Sequence, residues 1–115
     1  MKDKEKLNKT EKKAINELIE NLKEANGDNL VKVILYGSKA RGNSTQDSDI
    51  DIMVVLKDNI DVMKERFKVY DIVWSVCYVY DLLISVIIKN KSDYDKFDTS
   101  LLKNIRDEGI ELWKN

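Results

Sequence analysis

No histidine occurs anywhere in the chain. That excludes a Ser-His-Asp triad, an imidazole general base and histidine-ligated metal centres. A single cysteine, Cys77, excludes an intramolecular disulfide framework and a cysteine-rich zinc site. A metal held here must use oxygen ligands, which points to Mg²⁺, Mn²⁺ or Ca²⁺. Proline is absent too, without functional meaning. No charge sign dominates: 20 Lys and Arg stand against 21 Asp and Glu, for a net charge of −1. General nucleic-acid binding is therefore not expected, because affinity for a phosphate backbone needs excess positive charge. Long apolar runs are missing as well. The longest, Ile72–Tyr80 and Leu82–Ile88, are separated by Asp81, and neither reaches the roughly 18–20 residues of a membrane-spanning helix. The opening Met1-Lys2-Asp3-Lys4-Glu5-Lys6 carries both charge signs, unlike an export signal. The expected location is the cytoplasm, with no membrane partner.

What is present suits one small domain over residues 1–115. The 115 residues weigh 13.4 kDa, 43% are hydrophobic and 36% are charged, enough for a core under a well-solvated surface. Residues 8–27 read as an amphipathic helix. Asn8 is its cap with Glu11 three residues on, and Ile15, Leu18, Ile19, Leu22 and Ala25 form one face. Gly27 is the expected stop, and the mixed charges of residues 2–13 read as a solvated, frayed start. Leu30–Tyr36 and Ile50–Leu56 read as strands, joined by a polar loop with room for one helical turn. Asp58, with Asp61 as its N3 carboxylate, is the expected cap of a helix running to about Val79. The run Ile72–Tyr80 competes as a strand, but Val69, Val73 and Val76 supply a second apolar helical face. Such a helix is either deeply buried or used to bind a partner. Leu82–Ile88 reads as a third strand. Two short helices begin near Ser92 and Thr99, Gly109 ends the second, and Ile110–Trp113 is a candidate edge strand. The fold class is α/β (α+β), a small mixed sheet flanked by helices.

The chemistry lies in Gly37-Ser38-Lys39-Ala40-Arg41-Gly42 and, after Asn43 to Ser48, in Asp49-Ile50-Asp51-Ile52. A strand period of 2 puts Asp49 and Asp51 on one face and the two isoleucines on the other. Two carboxylates about 6–7 Å apart repel each other unless a divalent cation sits between them. Taken alone, such a pair is commonest as a solvated strand end. Gly37 permits close backbone approach and a sharp turn. The N–H groups of Ser38 and Lys39 would face an anion, with the Ser38 hydroxyl and Arg41 adding a donor and a charge. Taken alone, this is an ordinary tight turn. Together, a phosphate cradle faces a metal-binding pair across adjacent strand ends, the layout that nucleotidyl transfer needs.

These residues closely resemble the signature of the minimal nucleotidyltransferases, the smallest members of the DNA polymerase β-like nucleotidyltransferase superfamily. That signature is Gly-Ser, about ten residues, then Asp-x-Asp, and here it extends to the Ala-Arg-Gly element and to Ser48. The resemblance covers essentially the whole chain. It implies the superfamily's α/β nucleotidyltransferase fold, ATP or another NTP as donor, and Mg²⁺ (or Mn²⁺) held by Asp49 and Asp51, with Gly37, Ser38 and Arg41 binding the donor. It also implies an antitoxin beside a small helical HEPN-type partner, which some relatives are thought to adenylylate. Lys39 stands where relatives often carry Arg, keeping charge but not the forked geometry.

The family's third carboxylate belongs on the third strand, and its slot falls on Ser85. Asp81 lies on the same face by strand parity, about 13 Å away if the strand is extended, and is the alternative catalytic carboxylate; its commoner reading is a turn residue between helix and strand. Met63, Phe67, Tyr70 and Trp74 read as core in preference to a base-stacking surface, and Cys77 as a buried apolar residue. A chain of this size has no separate acceptor domain, so the acceptor hydroxyl is expected from a macromolecular partner. The aromatic-rich helix at 60–79 and the strand at 110–113 offer a docking surface, with homo-oligomerisation as the competing use. Two functions follow: transfer of a nucleoside monophosphate, AMP from ATP, to that hydroxyl, or a catalytically impaired antitoxin or nucleotide-binding module acting by protein–protein contact alone. Ser85 motivates the second.

Overall fold

In the computed structural model, the described residues are 7–42, 49–58, 61–96 and 99–115. The first helix, α1 (Lys9–Asn26), starts at a complete capping box. Glu11 N–H donates to Asn8 Oδ1 at 2.8 Å, and Asn8 N–H donates to Glu11 Oε1 at 2.9 Å. Ala14, Ile15, Leu18, Ile19 and Leu22 are buried along one face, and Gly27 ends the helix with a positive φ of 54°. The start is not frayed among the described residues: Glu11 is itself buried. Residues 2–6 lie outside the described residues.

After a 3-10 turn come β1 (Leu30–Tyr36), α2 (Ser38–Arg41) and β2 (Ile50–Leu56). Both strands have the expected bounds. Then follow α3 (Val62–Tyr80), β3 (Ile84–Asn90), α4 (Lys91–Lys96), α5 (Ser100–Glu108) and β4 (Ile110–Lys114). The sheet order is β3-β2-β1-β4. β1 runs antiparallel to β2 and to β4, while β2 and β3 are parallel, joined by the α3 crossover.

Alternating residues split the core between the two sheet faces. α1 and α3 cover Val33, Leu35, Ile50, Ile52, Val54, Ile84 and Ile88. Ile34, Met53 and Val55 pack on the other face with Tyr94 of α4 and with Leu102 and Ile105 of α5. No helix among the described residues is long and apolar enough to cross a membrane.

Three expectations need correction. Asp58 does not cap α3: Asp61 does, accepting from Lys64 N–H at 3.2 Å. Asp58 instead accepts from the Ser92 N–H (3.1 Å) and hydroxyl (2.6 Å), holding the start of α4, and those hydrogen bonds lower its pKa. Several Asp residues compete locally, and tertiary position decides which one caps. The third strand starts at Ile84, not Leu82, because α3 runs on to Tyr80 and a turn must follow it. Met63, Phe67, Tyr70 and Trp74 are exposed, not core. α3 has two apolar faces and the sheet covers only the one bearing Val69, Val73 and Val76.

Candidate active site

β1 delivers the chain to the edge of a turn that only glycine can make easily. Gly37 has φ 76° and ψ −158°, a region essentially reserved for glycine. It caps α2, and its carbonyl accepts from the Ala40 and Arg41 N–H groups, each at 3.1 Å. Gly42 closes the turn in the left-handed region. The space at Gly37 is as restrictive as its backbone. A Cβ placed there would collide with the Asp51 carboxylate and lie 3.2 Å from its Cγ. The glycine backbone of the turn thus lies against the carboxylate of the second strand, which is the close approach the motif requires.

Asp51 is the register partner of Tyr36 on β1 and of Ser85 on β3. Ile50, by alternation, is buried against α3 and α1, so Asp51 lies on the α5 side of the sheet. Asp49 precedes the strand and is exposed. Burial pushes the Asp51 pKa up, the Asp49 charge pushes it further, and the Arg41 guanidinium opposes both. Burial and the Asp51 charge likewise raise the Tyr36 phenol. Raised carboxylate pKa values of this origin mark a site short of positive charge. A hard divalent cation with oxygen ligands fits that donor pair. No cluster of three or more acidic or thiol ligands exists among the described residues.

The parallel register puts Ser85 at the position beside Asp51, the slot the sequence assigns to it. Asp81 is not on the strand at all. It is the C-cap of α3, left-handed at φ 52°, and exposed, so strand parity does not apply to it. It does stand at the Asp49 end of the sheet, two residues before Leu83, whose carbonyl accepts from Ile50 N–H at 3.0 Å. Arg41 is exposed and, with Tyr36, Gly37 and the α5 residues Leu101, Asn104, Ile105 and Glu108, lines a pocket of about 230 Å³. Ser48 and the rest of 43–48 lie outside the described residues.

Two features escaped the sequence. Lys39 is no surface cation standing in for arginine: it is 2% exposed and pairs with Glu11 at 3.0 Å. This buried ion pair ties the Gly-Ser turn to the first turn of α1. The α5 wall of the pocket was the other omission; the apolar spacing of Leu101, Leu102 and Ile105 is visible in sequence, but not that part of it flanks Gly37.

A family model described as "Nucleotidyltransferase domain" matches residues 15–112. A protein of Methanocaldococcus jannaschii, provisionally named a protein adenylyltransferase, is 33% identical over 104 residues, covering 90% of this chain and 98% of that protein. A crystal structure of a toxin–antitoxin with AMP-PNP superposes with a TM-score of 0.59 at 22% identity, covering 85% of this chain and 72% of that chain. A structure of a tri-AMPylated Shewanella oneidensis HEPN toxin in complex with an MNT antitoxin superposes with a TM-score of 0.54 at 21% identity, covering 90% and 72%. At these identities the structural likeness is one of fold.

Proposed function

Because the chain belongs to the nucleotidyltransferase domain family, we propose that it transfers a nucleoside monophosphate, AMP from ATP, to a hydroxyl of a macromolecular partner. We further propose that it acts as the antitoxin of a pair with a HEPN-type protein. The observation that carries this reading is the contact of the Gly37 backbone with the Asp51 carboxylate. It supports the reading because the Gly37 turn and the Asp51 carboxylate lie side by side, where one metal-bound triphosphate would meet both. The relatives' names, protein adenylyltransferase and AMPylated HEPN toxin with MNT antitoxin, support the donor and the kind of partner.

In this reading Gly37 and Ser38 hold the donor phosphates, Arg41 adds charge at the pocket rim, and Asp49 with Asp51 holds Mg²⁺ (or Mn²⁺). The cation, when bound, supplies charge neutralisation of the triphosphate and activation of the acceptor hydroxyl. The pocket between Tyr36, Arg41 and α5 is smaller than a typical ligand cavity, so it suits one part of the donor, its base or ribose. The acceptor oxygen attacks the α-phosphorus, the bond to the bridging oxygen breaks, and pyrophosphate leaves. The hydroxyl proton needs an acceptor. Ser85 is not a carboxylate, so it passes to water or to Asp81, the carboxylate at the same end of the sheet. The expected result is slow transfer.

The test is calorimetric titration with ATP in Mg²⁺ of the wild type and of the Asp49→Asn/Asp51→Asn double variant, followed by label transfer from ATP to a co-purified HEPN-type protein. Binding and transfer that both need the aspartates are expected. A folded wild type that binds no ATP even with the HEPN-type protein present overturns the reading. Ser85 beside Asp51 favours one second reading, a contact-only antitoxin. It requires that Asp49→Asn still neutralise the partner in cells.

A further inference from the structure

We propose that the outer face of α3 is a self-association surface, on which α3 of a second copy of this chain docks antiparallel. The inner face of α3 is spent on the core through Val69, Val73 and Val76. The outer face carries Met63, Phe67, Tyr70 and Trp74, which are 66%, 65%, 46% and 76% exposed. Their spacing of four, three and four residues is that of a seam between two helices. Together they present on the order of 500 Å² of largely apolar surface, a large continuous patch for so small a chain.

Charge selects the occupant and its direction. Lys64 and Asp71 are both exposed, seven residues apart on one edge of the stripe. Neither has an ion-pair partner among the described residues. In an antiparallel pair about a twofold axis, the same edges of the two helices meet. The register that sets Met63 across from Trp74 and Phe67 across from Tyr70, a thioether–aromatic and an aromatic pair, brings Lys64 to within two residues, about 3 Å of rise, of Asp71 of the second copy, and does so twice. On the opposite edge, Arg66 points back to the Ile88 carbonyl at 3.4 Å. A parallel pairing would therefore leave Lys64 and Asp71 unmatched.

The docked face is the back of the molecule with respect to the candidate active site. α3 lies over the sheet face of Ile50 and Ile52, and Asp51 lies on the α5 side. Association therefore leaves the candidate active site open and does not depend on the proposed transfer. Two such stripes bury roughly 1,000 Å² in total, below the usual size of a stable interface. The dimer is therefore reversible and forms in the micromolar range.

Sedimentation equilibrium of the full chain across micromolar concentrations tests this, with circular dichroism confirming that each variant is folded. The wild type is expected to associate to a dimer. Trp74→Glu should weaken it about thirtyfold or more, as expected of the largest aromatic anchor of the stripe. Asp71→Lys should weaken it several-fold, and adding Lys64→Glu should restore it. Leu101→Ser, an exposed apolar change on α5 across the sheet, should leave it unaltered. A wild type monomeric throughout overturns the proposal and leaves the face to a different protein. A dimer indifferent to Trp74→Glu overturns it too, as does an Asp71→Lys defect that Lys64→Glu does not repair.

Discussion

Replacing Glu11 by glutamine should be among the most damaging single-atom-scale changes available in this chain. Glu11 Oε2 lies 3.0 Å from Lys39 Nζ, and the two side chains are 6% and 3% exposed. Gln retains the shape and an oxygen for the capping hydrogen bond from Asn8 N–H. What it removes is the charge that matches a buried ammonium. Breaking a buried pair by removing one partner's charge costs about 3–5 kcal/mol. For a chain of this length 1 kcal/mol corresponds to about 4 °C in Tm, so the expected fall is roughly 12–20 °C. Lys91 and Asp95 provide the comparison: their contact is shorter, 2.6 Å, but about half of each side chain is in water. Asp95→Asn should cost far less, because water already screens that pair. Scanning calorimetry or denaturant unfolding reads both. If Glu11→Gln costs no more than Asp95→Asn, burial of this pair is not what holds α2 against α1.

Gly37→Ala should lose transfer and lower stability by about 1–3 kcal/mol from the backbone alone, with displacement of the Asp51 carboxylate added; retention of wild-type ATP binding and Tm would contradict the close approach. Ser85→Asp places a third carboxylate beside Asp51 and should raise Mg²⁺-dependent transfer about tenfold or more, while lowering Tm in a metal chelator. Unchanged transfer at saturating ATP would mean that the missing carboxylate is not limiting. Glu65 is buried, which raises its pKa, but hydrogen bonds from Asn26, Lys68 and Asn29 and the Lys68 charge outweigh burial and leave it below 4.5. Its folded-state value is depressed, so the stability it contributes is present above 4.5 and is lost as pH falls through the folded value. Glu65→Gln should therefore be less stable at neutral pH and should flatten the acid limb of the stability profile; an unchanged limb measured by denaturant unfolding would refute the assignment.

Much of the site was legible because its signals are local. A capping box needs four consecutive residues, and Asn8 with Glu11 supplies them. A two-residue period decides which way Asp51 and Ile50 face once β2 exists, and β1 and β2 have the bounds the apolar runs indicate. Ser85 could be placed because the crossover makes β2 and β3 parallel, and the register sets it against Asp51. Asp81 is the turn residue between helix and strand that the sequence favours, and strand parity does not reach it because the C-cap of α3 takes it.

From sequence alone come the strands, the main helices, the glycine turn and the two aspartates, since each depends on neighbours within a few residues. Only the tertiary structure decides that Lys39 is buried on Glu11, that α5 walls the pocket beside Gly37, and that the aromatic face of α3 is the one left in water. The physical reason is common to all three. Burial and electrostatics depend on which surfaces meet. A helix with two apolar faces carries nothing in its own spacing that says which of them the sheet will cover.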